Sequence, residues 1–388
     1  MKLKGYARPD GTYGVRNHLL ILPCSVCAGE TAQRIASLVP GAVAIPHQHG
    51  CCEVGEDYEQ TVRTLIGFGK NPNVGAVLVI GLGCEGIQAA TVADEIAKTG
   101  KRVESLIIQE HGGTLGTIQR GAALSAEMSR ELSAMERVEF DLSHLILGLE
   151  CGGSDPTSGI ASNPVMGECS DLLIALGGVS ILSESAEMIG AEHLMAARAV
   201  RPEVGESFLA MVRQTEQRAI DMGHDLRGTQ PTPGNIAGGI TTIEEKSLGC
   251  IYKAGHADLQ GTLEYGQAVD LAKPHGLYFM DTPGEDIDSI TGMVAGGAQI
   301  VTFTTGRGTP TGCPIAPVIK LTGNSDTFGK MRDNIDFDAS RVITAGASIE
   351  QLGSELFEEL VAVCNGRLTK AEALGHKEFG IFRVGYTF

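Results

Sequence analysis

Residues 74–98, VGAVLVIGLGCEGIQAATVADEIAK, contain the pattern that decides the fold. The apolar run 74–83 predicts a buried strand, and the following 87–98 predicts a helix. The same alternation extends outward in both directions, with strands predicted at 19–23, 42–46 and 103–109 and helices at 29–38 and 58–68. Alternating strands and helices are typical of a mainly parallel sheet with helices on its faces. The sequence therefore predicts an α/β fold.

A second series of elements begins after a charged helix predicted at 117–137. It comprises strands at 144–150 and 178–184, a helix at 163–176, a long helical stretch at 192–222, later strands in GLYFMD, QIVTFTT and RVITA, and a late helix in EQLGSELFEELVAVCNG. Between them, the polar, Gly- and Pro-rich residues 224–247 predict a functional loop. A length of 388 residues fits two domains. We predict an α/β domain at 1–138 and a larger one, with substrate-binding loops, at 139–388.

Composition and charge exclude several classes of protein. A formal net charge of −17 argues against a nucleic-acid partner, which would require clustered Lys and Arg. No apolar run approaches the roughly 18 residues of a membrane helix, and the N-terminus lacks an export signal, so we expect a cytoplasmic protein. An acidic chain that binds a small anion needs a locally basic pocket.

Four cysteines share one local context, since each follows an apolar run beside glycine or another small residue: Cys27, Cys51, Cys84 and Cys151. The first three are expected at the same edge of one parallel sheet. Thiolates suit zinc, iron or an iron–sulfur cluster, so these four are candidate metal ligands. The alternative is that each is a buried thiol packed behind a glycine turn. Cys250, in an apolar helical context, is interpreted as structural.

Two residues are candidates for proton transfer. His49 lies in HQHGC, and imidazole is the commonest general base near neutral pH. Glu184 ends the predicted strand that contains SILSE. A buried histidine without a chemical role remains an equal alternative for His49.

Cationic and amide side chains lie at strand margins, namely Arg16, Asn17 and His18 in GVRNH, Arg307 in TTGRGTP and Lys320 in PVIK. Guanidinium groups match carboxylates bidentately, so we interpret this set as substrate-binding, with structural salt bridges as the alternative. The Gly-rich loop ECGGSDPTSGIASNP could bind an anion on backbone N–H groups. No dinucleotide or P-loop motif is present, which disfavours a nicotinamide enzyme.

From about residue 5 to its end the chain resembles the altronate/galactarate dehydratases, through blocks such as GYARPDGTYGVRNH, HQHGC, NPNVGAVLVIGLGCE, ECGGSD, MDTPG, TTGRGTP and IFRVGYTF. The resemblance implies a carbon–oxygen lyase that uses iron, as Fe²⁺ or an iron–sulfur cluster, to dehydrate a sugar acid to a 2-keto-3-deoxy acid. By motif it places the family's cysteines at the four candidate ligands, and its polar positions at Asn17, Ser154, Asp155, Asn163, Glu184, Asn235 and Arg307.

The resemblance also implies a partner. Family members have an additional small N-terminal domain, fused or separate, so we predict a separate small subunit of roughly 100 residues and an oligomeric enzyme. Two positions depart from the altronate pattern: Ile236 in PGNIAGG stands where lysine is expected, and His49 stands where altronate enzymes have tyrosine. The chain is otherwise altronate-like, so the identity of the substrate acid stays undecided at this point. One alternative is the large subunit of a sulfolactate sulfo-lyase, which the four candidate cysteines disfavour. The other is a non-catalytic subunit that binds a sugar acid.

Overall fold

The computed structural model describes residues 2–386 and 388. Within them the strands are β1 Lys2–Ala7, β2 Tyr13–Gly14, β3 His18–Pro23, β4 Ala42–Ala44, β5 Val74–Gly81, β6 Arg102–Ile107, β7 Val138–Asp141, β8 Ile146–Cys151, β9 Val179–Leu182, β10 Leu259–Leu263, β11 Leu277–Met280, β12 Ile300–Thr304, β13 Val318–Thr322 and β14 Phe337–Asp338.

The helices are α1 Val26–Leu38, α2 Gly55–Lys70, α3 Ala89–Ala97, α4 Gly113–Ser133, α5 Asn163–Ala175, α6 Glu192–Ala196, α7 Pro202–Asp221, α8 Leu226–Thr229, α9 Pro233–Gly238, α10 Ile243–Ile251, α11 Asp286–Ala295, α12 Ser325–Lys330, α13 Arg341–Thr344, α14 Ile349–Cys364 and α15 Lys370–Leu374. No helix in the described part of the chain combines the length and apolarity needed to cross a bilayer.

The predicted α/β fold is confirmed. The first sheet has four parallel strands in the order β4-β3-β5-β6. In its central strand β5, Val77 and Val79 pack into one apolar cluster, whereas Leu78 and Ile80 pack into another on the opposite face. Because both faces are buried, the strand reads as a continuous apolar run.

The second sheet has seven parallel strands in the order β10-β11-β9-β8-β12-β13-β14. From β8 the chain proceeds to β9 on one side and later returns to β12 on the other side. The carboxyl end of β8 therefore lies at a topological switch point, where loops from both sides diverge and leave a crevice. Cys151 is the last residue of this strand.

A small antiparallel sheet, β2-β1-β7, lies beside the two parallel ones. Strand β1 was not predicted, because its alternation of exposed and buried residues is short and interrupted by glycine. Strand β7 pairs with β1 and then leads into the second domain, so the two chain segments meet at this sheet.

Three local predictions are wrong. RVITA forms α13 rather than a strand, because the Asp338 carboxylate accepts hydrogen bonds from the Ser340 N–H and hydroxyl and turns the chain away from the sheet. The stretch 192–222 is two helices, since Val200 N–H donates to the Leu259 carbonyl and Pro202 begins a new helix. The predicted loop 224–247 contains three short helices, α8, α9 and the start of α10.

The C-terminal segment crosses back to the elements around the first parallel sheet. The Asp57 carboxylate of α2 accepts hydrogen bonds from Val384 N–H at 2.8 Å and Gly385 N–H at 2.7 Å. The ring of His49 contacts the Ile381 carbonyl through Nε2 at 2.9 Å. These contacts fasten the end of the chain over the loops that follow the first sheet.

Candidate functional site

A fully buried polar cluster occupies the carboxyl end of β8. Glu184 follows β9 with a backbone φ of +72°, a left-handed conformation that is strained for a residue with a side chain. Its carboxylate accepts a hydrogen bond from the Cys151 N–H at 3.1 Å. Thr282 secures the backbone by accepting the Glu184 N–H at 2.7 Å. Strain held in this way is typical of functional positions.

Lys253 supplies the counter-charge. It lies in the turn directly after α10, is wholly buried, and forms an ion pair with Glu184. Its Nζ is 3.0 Å from Cys151 Sγ and 3.9 Å from the Glu187 carboxylate. Burial alone would lower the pKa of Lys253, but the neighbouring Cys151 and Glu184 raise it well above its ordinary value, so the ammonium form is favoured.

The pKa values of the two carboxyl groups shift in opposite directions. Burial, together with the charge of Glu187, raises the pKa of Glu184. Burial would also raise the pKa of Glu187, but Lys246 and Lys253 outweigh it and lower the pKa to about 2. Glu187 is thus the more acidic of the pair, and pairs whose pKa values are pushed apart are typical of sites for acid–base chemistry.

Cys151, Glu187 and Cys250 could hold a metal ion. The Glu187 Oε2 atom is 2.8 Å from Cys151 Sγ and 2.7 Å from Cys250 Sγ, and the two sulfurs are 3.5 Å apart. Within the described residues this is the one group of three Cys, His, Asp or Glu donor atoms that all lie within 4.8 Å of one another. Two sulfurs and one carboxylate oxygen suit a divalent ion such as iron or zinc once the thiols lose their protons.

A cavity of about 200 Å³ opens beside this triad. Its lining includes Ser154, Asp155, Asn163, Lys246 and Cys250, so Cys250 belongs both to the cavity wall and to the triad. Lys246 Nζ forms a 2.9 Å ion pair with Glu187, and this carboxylate raises the pKa of Lys246 against the effect of burial. Lys246 therefore supplies a cationic group to a wall that also includes Asp155 and Glu245.

Three of the predicted substrate-binding residues line this cavity, and two more bind the backbone of its Gly-rich loop. Ser154, Asp155 and Asn163 line it. Asn235 donates from Nδ2 to the Ser154 carbonyl at 2.9 Å, and Arg307 N–H donates to the Gly153 carbonyl at 2.9 Å. The Arg307 guanidinium also reaches α9, where it donates to a carbonyl at 3.3 Å.

The other predicted substrate-binding residues lie elsewhere. All five N–H groups of Arg16 donate to protein acceptors, two of them to the Glu372 carboxylate and three to backbone carbonyls. Arg16 and His18 border a separate cavity of about 270 Å³. Asn17 bonds to a carbonyl of α4, and Lys320 Nζ donates to two carbonyls of the 304–313 loop, the nearer at 2.8 Å.

The four predicted metal ligands do not form one site. Cys27, Cys51 and Cys84 are exposed near the carboxyl ends of strands of the first parallel sheet, whereas Cys151 is buried at the end of β8 among Glu184, Glu187, Cys250 and Lys253. Sequence position alone could not separate them, because both sheets present a cysteine at a strand end.

The predicted proton-transfer residue His49 is buried in the first domain. Its Nδ1 is 3.1 Å from the Glu53 carboxylate and its Nε2 is 2.9 Å from the Ile381 carbonyl. Burial lowers the pKa of His49, but hydrogen bonds with Glu53 and Ile381 outweigh this and raise the pKa. Both ring nitrogens therefore lie beside protein oxygens.

Sequence reasoning missed most of the buried cluster. Lys246, Cys250 and Lys253 lie at positions i, i+4 and i+7 in EEKSLGCIYK, a spacing that places them on one helix face and could have identified them. No local signal identified Asp286, whose pKa burial raises to about 7. Its carboxylate packs so closely on Gly152 that a Cβ there would lie 2.3 Å from an Asp286 oxygen.

Comparison with known proteins adds two family models and several relatives. The models describe "D-galactarate/Altronate dehydratase, C-terminal" at 142–387 and "D-galactarate dehydratase/Altronate hydrolase, second domain" at 5–133. The (2R)-sulfolactate sulfo-lyase subunit beta of Chromohalobacter salexigens is 39% identical over 98% of this chain and 97% of that protein.

Two further relatives are altronate dehydratases. The Bacillus subtilis enzyme is 36% identical over 99% of this chain, and the Escherichia coli enzyme is 37% identical over 98%. In both cases the chain covers 78% of the relative.

Proposed function

Since this chain belongs to the D-galactarate/altronate dehydratase family and is a lyase, we propose that it is the large catalytic subunit of a metal-dependent hydroxy-acid dehydratase. The substrate is an altronate-like sugar acid, and the product is a 2-keto-3-deoxy acid. The observation that carries the proposal is the buried acid, base and thiol cluster beside a cavity at the switch point of the second sheet.

Dehydration removes the proton α to the carboxylate and the hydroxyl group on the β carbon. Lys246 and Asn163, on the cavity wall, bind the substrate carboxylate, while Ser154 and Asp155 bind its hydroxyl groups. Glu184 accepts the proton. The Lys253 ammonium compensates the negative charges of the Glu184 carboxylate and the Cys151 thiolate. His49 is the second candidate for proton transfer. We prefer Glu184 because it belongs to the buried cluster beside the cavity, whereas His49 lies in the loop after β4.

An iron ion held by Cys151, Glu187 and Cys250 would act as a Lewis acid toward the negative charge that develops on the substrate oxygens. Arg307 and Asn235 hold the loops that close one side of the cavity. Arg307 and Asn235 thereby fix the position of the cavity walls, and a shift of such positioning groups lowers the reaction rate.

A separate small subunit completes the enzyme in this proposal. The chain covers 97% of a relative that is itself named subunit beta, but only 78% of the altronate dehydratases. The name subunit beta implies a second polypeptide in that relative, and the partner proposed for this chain is a small subunit of roughly 100 residues.

A second candidate function is elimination of sulfite from a sulfonated hydroxy acid, favoured by the 39% identity to the sulfo-lyase subunit over nearly its whole length. Both reactions begin with loss of a proton α to a carboxylate and differ in the leaving group. A non-catalytic binding subunit would use the same cavity without turnover.

The test is a turnover assay of the chain, purified anaerobically with its small subunit and iron, against a panel of hexonates, hexarates and sulfolactate. Formation of a 2-keto-3-deoxy acid supports the dehydratase. Release of sulfite in its place supports the second candidate, and binding of an acid without turnover contradicts both.

Two variants connect the activity to the site. Cys250→Ser should lower both iron content and turnover, because it removes a donor of the triad. Cys364→Ser, which alters a buried thiol of α14 outside the site, is the matched control and should change neither.

A further inference from the structure

A second cavity, larger than the one beside Cys250, lies at the amino end of β8. Its volume is about 500 Å³, whereas the cavity of the proposed site has about 200 Å³. Ile146, the first residue of β8, lines the larger cavity, and Cys151 ends the same strand beside the smaller one. The rise from Ile146 to Cys151 is about 17 Å. The two cavities are therefore separate, and none of the described residues lines both.

The larger cavity is a groove along α2, and we call it the α2 groove. One face of α2 forms one wall, and residues 266–271 with the end of α11 form the other. Val269 N–H donates to the Gly296 carbonyl at 2.9 Å, which holds the second wall together. A Cβ on Gly67 would lie 2.4 Å from the Ala295 carbonyl oxygen, so α2 packs very closely on α11. The groove is thus a fixed feature of the fold, as most small-molecule sites are.

The inner surface of the α2 groove is apolar. Its aliphatic side chains include Val62, Ile66 and Leu271. Two amide side chains also line it, but both direct their N–H groups into the protein. Gln299 donates to two backbone carbonyls at 2.8 Å, and Asn71 donates to two others at 2.8 and 2.9 Å. The oxygen of each amide accepts a backbone N–H. A ligand in the groove therefore gains free energy mainly by burying an apolar body.

Arg63 brings a cation to this groove. Its Nε donates to the Tyr265 carbonyl at 2.7 Å, which fixes the side chain. Within the described part of the chain, no other hydrogen bond or ion pair engages this guanidinium, so its two terminal nitrogens remain available. Two parallel N–H groups held in this way match the two oxygens of a carboxylate.

The charges around the α2 groove also favour an anion. Lys70 lies two helical turns after Arg63 on α2 and forms a 3.5 Å ion pair with Glu95. Glu59 is the single acid among the described residues that line the groove. Cations thus outnumber acids along this lining, although the whole chain has a net charge of −17. Such a local excess attracts anions to one place on an acidic protein.

The dimensions of the groove set the size of the ligand. A volume of about 500 Å³ lies within the roughly 300–1,000 Å³ of small-molecule sites. From Arg63 to Lys70 the helix rises by about 10 Å, which is the length of an extended eight-carbon chain. Ile66 lies between these two residues and lines the groove. An aliphatic acid of this length places its carboxylate at Arg63 and its chain on apolar side chains.

We propose that the α2 groove binds a medium-chain aliphatic carboxylate, with the carboxylate group paired to Arg63 and the chain packed on Val62, Ile66 and Leu271. Sugar acids do not belong to this ligand class, because their hydroxyl groups would be buried against aliphatic side chains without hydrogen-bond partners. The proposal goes beyond the dehydratase function and does not depend on it.

The test is isothermal titration calorimetry of the full-length chain with octanoate, which should bind with a Kd below about 1 mM. Octanol lacks the carboxylate and butyrate lacks most of the chain, so each should bind at least about 10-fold more weakly. A saturating hexonate should leave the affinity for octanoate unchanged, because the two cavities are separate. Absence of octanoate binding, or displacement of octanoate by the hexonate, overturns the proposal.

Three variants make the result specific. Arg63→Met should weaken octanoate binding by about 10- to 100-fold through loss of the charged hydrogen bonds. Ala268→Trp, in the exposed part of the loop, fills the groove and should abolish binding. Arg332→Met is the matched control, because it removes an exposed guanidinium outside the groove and should bind octanoate like wild type. Circular dichroism checks that each variant is folded.

Two outcomes with the variants overturn the proposal. One is an equal affinity of Arg63→Met and wild type for octanoate. The other concerns a different occupant, namely another polypeptide. If octanoate does not bind and Ala268→Trp dissociates an oligomer in analytical ultracentrifugation, the α2 groove is a contact between subunits and not a ligand site.

Discussion

Replacement of Lys253 by Met tests whether the buried cluster depends on the wholly buried ammonium group of Lys253. Lys253 and Glu184 are both wholly buried, and the same ammonium is 3.0 Å from Cys151 Sγ and 3.9 Å from Glu187. Removal of one partner of a buried ion pair costs about 3–5 kcal/mol, because the other charge remains in a medium of low dielectric constant. Since a domain is stable by about 5–15 kcal/mol in total, Lys253→Met should lose a large part of its stability.

The double variant Lys253→Met with Glu184→Gln separates lost charge from lost packing. If an uncompensated carboxylate causes the loss, the double variant should be more stable than Lys253→Met alone, and the two substitutions should be strongly non-additive. Guanidinium denaturation, followed by circular dichroism in the presence of a chelator, measures each stability without a contribution from bound metal.

The matched control is Lys98→Met. Lys98 forms an ion pair with Glu95 on the protein surface, where charges remain hydrated, and its loss should leave the denaturation midpoint almost unchanged. A Lys253→Met protein within 1 kcal/mol of wild type, or additive effects in the double variant, would refute the view that Lys253 neutralises the cluster.

Three further outcomes follow from single contacts. Burial would raise the pKa of Glu372, but Arg16 outweighs it and holds the pKa below its ordinary value. Glu372→Gln should therefore lower the free energy of unfolding by about 3 kcal/mol at pH 7. Denaturation at several pH values should show this difference from wild type shrinking as the pH falls through the lowered pKa of Glu372. A difference independent of pH would contradict the ion pair. Gly152→Ala should displace the Asp286 carboxylate, which would lie 2.3 Å from the new Cβ, and lower kcat by on the order of 10²-fold with the fold retained; an unchanged kcat would show that Asp286 has no part in turnover. Lys246→Met should lower kcat/KM by about 10- to 100-fold through loss of a charged hydrogen bond to the substrate carboxylate, with partial rescue by Lys246→Arg, and equal activity of all three proteins would exclude that role.

Much of the fold was predictable from the sequence because the signals are local. The apolar run of β5 and the helix that follows it were predicted within a few residues, since a strand buried on both faces leaves a continuous run of aliphatic side chains. One prediction failed where a side chain just outside the segment decided the conformation. RVITA has strand-forming residues, yet it is helical because the carboxylate of Asp338 directs the turn.

The candidate site was predictable in part for the same reason. Ser154, Asp155 and Asn163 were identified because they belong to one Gly-rich loop that follows a strand, and that loop does border the cavity. Arg16 has equally suitable chemistry, but Glu372, 356 residues away in the chain, accepts two of its N–H groups. No local pattern could have revealed that partner.

The sequence by itself determined that this protein is an α/β lyase of the altronate/galactarate dehydratase family, with cysteines that follow its apolar strands. Only the tertiary structure decided which of those cysteines share a site. It left Cys27, Cys51 and Cys84 exposed at the edge of one sheet and buried Cys151 at the switch point of the other, beside Glu187, Cys250 and Lys253. The physical reason is that the spacing of apolar residues along a segment shows only which of its faces are buried. Which residues surround the end of a strand depends on the order in which strands distant in sequence pair.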